Sequence, residues 1–330
     1  MPVTPRTRVG LVVAGAAAAA AAIVVGVTLL QTRGSTSSTG TPQVTKPQKG
    51  FPPLLLDLGV RTDATALALR RANALYTSGR RPEARKVFVR YRGIQAEIGA
   101  AFAQWPTDTL SRLKEIVAAA PRSAIAQLHL GLADYWAGRV GDAVKAWQLA
   151  AKVQPDTAAA VHAQDLLHPR LPIPGLPPFV PSFPTPEAID ALPPAQRFAA
   201  LARAARGRDV RAKLLYGVAL QQLGRPVSAE RQFAAAARLA PTDPDARVAA
   251  AVGRFSKAAP QRAFSRLGPL VRVFPHAATV RFHLGLMLLW LREIPQAKVE
   301  LRKAQAEAPN STLGREAKRF LSRLARIGTK

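Results

Sequence analysis

Cysteine is absent from this 330-residue chain. Its absence excludes disulfides, thiolate metal ligands, a cysteine nucleophile and a lipid-modified cysteine, without choosing between redox compartments. Aromatic residues are scarce, at 6%. Acidic residues are missing from the first 50 positions, and all 20 of them follow. Also absent are the phosphate-cradling P-loop and the GxSxG, HExxH, CxxC and calcium-loop patterns. The five histidines are His129, His162, His168, His276 and His283. Two of them, His129 and His283, each stand two positions before a glycine, Gly131 and Gly285, which argues for packing rather than metal ligation. Acid pairs are sparse, and none sits where a carboxyl would be tuned for proton transfer. No catalytic residue, cofactor, metal or small-molecule substrate is expected, and an enzyme is not the reading these residues support.

What is present is alanine and arginine in abundance, with only short β-branched runs, a composition that favours helices. The formal charge is +27, which speaks to solubility and anionic neighbours rather than to fold.

Near the N-terminus, Val9 to Leu30 is a run of 22 residues without a charge. At 1.5 Å per residue this run spans a hydrocarbon core of roughly 30 Å. A cleaved secretory signal is the alternative, but the run continues through Ile23–Leu30, beyond the usual length of a signal core. Residues 1–30 are therefore read as a short basic N-terminus plus a single-pass signal anchor. Arg6 and Arg8 before the run, nearly balanced by Arg33, Lys46 and Lys49 after it, lean toward a cytoplasmic N-terminus and an extracytoplasmic C-terminal domain at the cell membrane. Residues 31–61, rich in Gly, Ser, Thr and Pro, read as a flexible tether. Within it FPPLLLDL (51–58) is apolar enough to dock on the first helix, for which Thr62 or Asp63 is the N-cap candidate.

Beyond the tether the sequence repeats. Pro121 to Pro155, Pro241 to Pro275 and Pro275 to Pro309 are each 34 residues apart, a period that marks stacked helical hairpins. In Pro121–Pro155, Ile125, Leu128, Leu132 and Tyr135 are spaced for one helix that stops at Ala137-Gly138. Ala143, Trp147, Ala150 and Val153 are spaced for a second. A lone hairpin cannot bury its apolar face and needs a stacked neighbour. The order Leu130-Gly131, Ala143, Trp147, Ala150, Pro155 resembles the tetratricopeptide repeat (TPR) family. Gly217, Gly224, Ala229, Phe233, Ala236 and Pro241 follow the same order, as do Gly285, Ala297, Leu301, Ala304 and Pro309. Weaker copies run through Ala251, Ala263, Leu267 and Pro275, and through Ala72, Gly79, Ala84 and Phe88. Between Gly79 and Pro121 the register fails, with Thr109 at the alanine position, although there is room for a helical pair. Gln127, Lys213 and Arg281 stand where the family often carries an aromatic residue.

The expected fold is thus all-α, a TPR-like helical-hairpin solenoid preceded by a transmembrane helix and a tether. Repeats are assigned to 62–167 and 194–310. Between them, residues 168–193 include HPRLPIPGLPPFVPSFPTP, with eight prolines from Pro169 to Pro186, where helix is excluded. Its interleaved apolar residues fit a strap across helix faces, a rigid spacer, or a ligand for a proline-reading domain. Residues 311–330 carry an apolar stripe opposite Arg315, Lys318, Arg319, Arg323 and Arg326, as a basic capping helix would.

The TPR resemblance implies a non-catalytic scaffold that binds a protein or peptide on the concave face lined by the first helix of each hairpin. Carried over, that face includes Tyr76, Tyr135, Trp136, Arg211, Gln221, Gln222, Arg247, Phe282 and Trp290 as candidate partner-binding residues. Leu128, Leu132 and Leu286 share it. The bland reading assigns Tyr135, Phe282 and Leu286 to the inter-repeat core. The lysine–asparagine carboxylate clamp of some family members is missing, since Leu128, Leu132, Leu214 and Val218 hold those places. A second class of function is an electrostatic adaptor, whose basic surface would hold an anionic polymer: cell-wall polyanion, lipid headgroups or nucleic acid.

Overall fold

A computed structural model describes residues 48–171 and 173–327. The predicted spanning segment at 9–30, the tether up to residue 47 and the last three residues lie outside them. Among the described residues no helix is long and apolar enough to cross a membrane.

The regular elements described are all helices, and they form two successive sets. The first holds α1 (Ala64–Thr77), α2 (Arg81–Phe88), α3 (Ile94–Ala103), α4 (Thr109–Ala119), α5 (Ala124–Trp136), α6 (Val140–Val153) and α7 (Ala158–Leu167). Two connecting helices follow, α8 (Glu187–Asp190) and α9 (Pro194–Ala204). The second set holds α10 (Val210–Gln222), α11 (Pro226–Leu239), α12 (Pro244–Val252), α13 (Gln261–Leu267), α14 (Leu270–Val273), α15 (Ala278–Trp290), α16 (Ile294–Glu307) and α17 (Thr312–Ile327). Element for element, α1–α7 are matched by α10–α17, with α13 and α14 together in the place of α4. Each set has its own apolar core.

Local chemistry explains the hairpins. Four first helices start on side-chain caps: Asp63 accepts from Ala66 N–H, Ser123 from Ala126, Asp209 from Ala212 and Asp243 from Ala246. Several second helices instead begin at proline, which has no N–H to satisfy. Between the two helices the backbone turns through a left-handed residue: Gly79, Gly138, Gly224, and in the α15–α16 hairpin Arg292 at φ 64°. The paired helices approach closely because a glycine faces a bulky side chain. A methyl on Gly131 would stand 2.5 Å from the Trp147 ring, one on Gly217 2.2 Å from Phe233, and one on Gly285 2.9 Å from Leu301. The amphipathic α17 closes the second set: Leu313 and Ala317 are buried, and Arg315, Lys318, Arg319 and Arg323 are exposed.

Polar locks join the sets, two of them at the start of α11. Asp156 accepts from the Val227 and Ser228 N–H groups, at 2.9 and 3.0 Å, and from the Ser228 hydroxyl, so one set caps a helix of the other. Arg225 meets Asp57 with two parallel bonds of 2.9 Å, the geometry that gives this pair its specificity. Asp57 lies in the stretch expected to be tether. Residues 51–58, the apolar part of the tether, are docked, with Leu54 and Leu58 buried in the first core.

The turn and the close approach give opposite substitution effects. Arg292→Gly should raise stability by about 1 kcal/mol by relieving a left-handed non-glycine residue. Gly217→Ala should lower it by about 1–3 kcal/mol by forcing a methyl into the Phe233 ring. Urea unfolding midpoints compared with the parent chain check both.

Candidate functional site

The first helices of the hairpins, α1, α3 and α5 in one set and α10, α12 and α15 in the other, form two grooves. The chain lays an extended segment of itself along each: residues 48–58 along the first, and 173–183 along the second. An extended segment crossing helices has no neighbouring strand to satisfy its main-chain groups, so side chains must do so.

In the first groove Leu55 N–H donates to His129 Nε2 at 3.1 Å. Asp57 N–H donates to Gln95 Oε1 at 2.8 Å, and Gln95 Nε2 returns a bond to the Asp57 carbonyl at 2.9 Å. Tyr76 donates its hydroxyl to the Pro52 carbonyl, and Gln48 N–H donates to the Trp136 carbonyl at 2.9 Å. Phe51 meets Tyr76 edge-on and lies under the Arg81 guanidinium.

The second groove repeats the arrangement. Val180 N–H donates to His283 Nε2 at 2.9 Å. Phe179 N–H donates to Gln221 Oε1, while Asp245 accepts from both the N–H and the hydroxyl of Ser182. Phe179, 1% exposed, stacks on His283 and meets Phe233 edge-on. Trp290 Nε1 donates to the Gly175 carbonyl. Lys257, 3% exposed, pairs with buried Asp165 at 2.6 Å and donates to the Ile173 carbonyl at 2.7 Å. Asp165 in turn accepts the Gly175 N–H. A buried ion pair holds only when its remaining bonding capacity is filled, and here the strap's main chain fills it.

The two straps share one sequence register. Gly50-Phe-Pro-Pro-Leu-Leu-Leu-Asp-Leu58 aligns with Gly175-Leu-Pro-Pro-Phe-Val-Pro-Ser-Phe183. Both glycines have left-handed φ. Pro52 and Pro177 are buried, as are Leu54 and Phe179. Leu55 and Val180 meet the two histidines, and Asp57 and Ser182 meet Gln95 and Asp245.

Each histidine is fixed in one tautomer. His129 Nδ1 lies 2.7 Å from the Ile125 carbonyl, and His283 Nδ1 lies 2.7 Å from that of Thr279. Nδ1 therefore carries the proton, and Nε2 is left to accept from the strap. Complete burial pushes both imidazoles down to about 4, outweighing these carbonyls, which favour the charged form. Burial likewise raises the Tyr76 hydroxyl.

The nine candidate partner-binding residues divide on this geometry. Tyr76, Trp136, Gln221 and Trp290 bond to the straps, and Arg211 lies over strap residue Phe183. Tyr135 and Phe282 belong to the core, Tyr135 beside Trp147 and Phe282 between His283 and Phe320. Arg247 bonds to the Pro241 carbonyl of the preceding turn, and Gln222 is exposed. In the folded chain the straps cover Tyr76, Gln221 and Trp290, and Phe282 lies in the core. Gln95, His129, Asp245, His283 and Lys257 were not among the candidates. The matching positions of His129 and His283 before Gly131 and Gly285 were the one available signal, and they point to packing; nothing comparable marks Gln95, Asp245 or Lys257. Among the described residues no cluster of three or more His, Asp or Glu is arranged to hold a metal.

No protein-family model matches the chain, and no curated protein matches it. Among solved structures, a match is found to a chain in the crystal structure of the APC/C hetero-tetramer Cut9–Hcn1, with 16% identity and a TM-score of 0.27. It covers 79% of this chain and 56% of that one, so this chain spans little more than half of that chain's length. The assignment as an all-helical, TPR-like repeat solenoid rests on the hairpins themselves.

The histidines give a pH dependence of defined sign. Their folded-state pKa values lie below the unfolded value, so the stability they confer is complete above pH ~6.5 and is lost as pH falls toward 4. Each should contribute about 3 kcal/mol of that loss. Urea unfolding at neutral pH and near pH 4 should show a smaller loss for His129→Gln, which keeps an acceptor but does not titrate, than for the parent chain.

Proposed function

We propose that this protein is a non-catalytic, membrane-tethered scaffold whose helical repeats mediate protein–protein interaction through the grooves of their first helices. The observation that carries this reading is that both grooves hold an extended peptide segment by its main-chain N–H groups. Such a surface is suited to recognising polypeptide in extended form. The groove histidines are bonded at both ring nitrogens, a holding role rather than proton transfer. Val9–Leu30 supplies the proposed anchor, with the folded part on the extracytoplasmic side, and the sparse charge bias around the segment supports that orientation.

The rival reading, an adaptor for an anionic polymer, draws on the net charge of +27 and on exposed basic residues such as Arg71, Arg85, Lys86, Arg203 and Arg206. The two readings respond oppositely to salt. A polyanion held by six or more cations loses about 10³-fold or more in affinity over a fourfold rise in salt, whereas an apolar groove contact changes little. Full-length chain in detergent, used as bait at about 0.05 M and about 0.2 M salt, should retain the same protein partner at both. Loss of every bound species at the higher salt would reject the scaffold reading. Protease accessibility of the C-terminal part in intact cells tests the orientation: protection would reject it.

A further inference from the structure

The two strap–groove pairs are built alike but are not equally closed. The second strap is tied at both ends, to α7 and to α8, and is bonded by the buried Lys257–Asp165 pair. It cannot leave without opening the join between the two helical sets. The first strap's ion pair, Asp57 with Arg225, is the more exposed of the two, at 15% and 27% against 5% and 0% for Asp165 and Lys257, and the strap meets α1 through Gly59, a left-handed glycine.

The ends of the grooves differ too. In the second, Trp290 Nε1 donates to the Gly175 carbonyl. In the first, Trp136 occupies the place of Trp290 and Gly50 that of Gly175. There Trp136 Nε1 is buried with no hydrogen-bond partner. Beside it lies an open cleft of about 350 Å³ walled by Gly50, Phe51, Arg81, Trp105 and Trp136. The chain's own strap therefore leaves a buried donor unmet at this end, which costs stability, beside a cleft with room for a side chain.

From these differences, and resting on the scaffold reading above, we infer that the first groove is an exchangeable peptide receptor. Its resident strap yields to an extended segment of another protein with the pattern Gly–apolar–Pro–Pro–apolar–apolar–x–acidic–apolar. The incoming glycine carbonyl would meet Trp136 Nε1 as Gly175 meets Trp290. A bulky residue at or before it would enter the cleft between Trp105 and Trp136. The paired prolines bring few main-chain donors and a pre-extended backbone to the groove. The acidic residue would replace Asp57 opposite Arg225, so exchange would transfer the contact between the two helical sets to the partner. Because the resident strap competes from within the same chain, apparent affinity is reduced by the fraction of molecules whose groove is open.

The test uses full-length chain in detergent and a fluorescent synthetic peptide IPGLPPFVPDFP, residues 173–184 with Ser182→Asp, which puts the second strap's register and the acidic residue of the pattern in one probe. Leu55→Pro removes the N–H that reaches His129 and leaves the groove residues untouched. The peptide should bind the Leu55→Pro chain about tenfold or more tightly than the parent chain. Trp136→Phe, added to Leu55→Pro, should reverse much of that gain. If Leu55→Pro loses helical structure, peptide should restore it. Equal affinity for both chains, no binding to either, or failure of the peptide to restore a lost fold would overturn the inference. So would a Leu55→Pro chain that dimerises and resists the peptide, since the occupant would then be a second copy. Because only purified chain and a synthetic peptide are used, a negative result leaves standing a scaffold that binds elsewhere. Loss of the partner at higher salt, by contrast, would sink the scaffold reading itself.

Discussion

A main-chain N–H that is buried must find an acceptor, and an extended segment laid across helices finds none in a neighbouring strand. That constraint organises both halves of this molecule. It explains why buried polar side chains, otherwise costly in a core, recur at matching places on the first helices. It also explains the proline content of the straps, since each proline removes a donor that would otherwise need a partner. Among the remaining N–H groups, those at Leu55, Asp57, Gly175, Phe179, Val180 and Ser182 are each met by an imidazole, an amide or a carboxylate.

The same segments connect the parts. Leu54 and Leu58 complete the first apolar core and Phe179 the second. Asp57 bonds to Gln95 in its own groove and to Arg225 in the following helical set, and Asp165, at the end of the first set, pairs with Lys257 in the second. The straps are thus structural members of the solenoid as much as occupants of its grooves. That dual role is what couples peptide occupancy to the relation between the two sets.

Much of the helical repeat was legible from residue type and spacing. The glycine opposite a bulky residue, the mid-repeat alanine and the closing proline are short-range signals, and each corresponds to a contact within one hairpin. Even the irregular stretch between Gly79 and Pro121 forms the helical pair for which it had room. The filling of the grooves was harder to read, because it depends on pairs far apart in the chain, such as Leu55 with His129 and Val180 with His283. Periodicity carries no information about such pairs. A signal was present in GFPPLLLDL and GLPPFVPSF, whose shared register emerges only when two connecting segments are compared as repeats in their own right. Arg292 marks another limit: a left-handed turn position reads as glycine in three hairpins, and nothing local to Arg292 announces the fourth.

The central claim is that the two straps lie in their grooves in the folded protein, with their N–H groups bonded to buried side chains. Amide hydrogen exchange of the full-length chain in detergent tests this most directly, because a buried bonded amide exchanges only when the structure opens. The account predicts that the amides of Leu55, Asp57, Phe179 and Val180 are protected to a degree comparable with the interiors of α5 and α15. Exchange of these amides at the rate of an unstructured chain, while the helices stay protected, would contradict it.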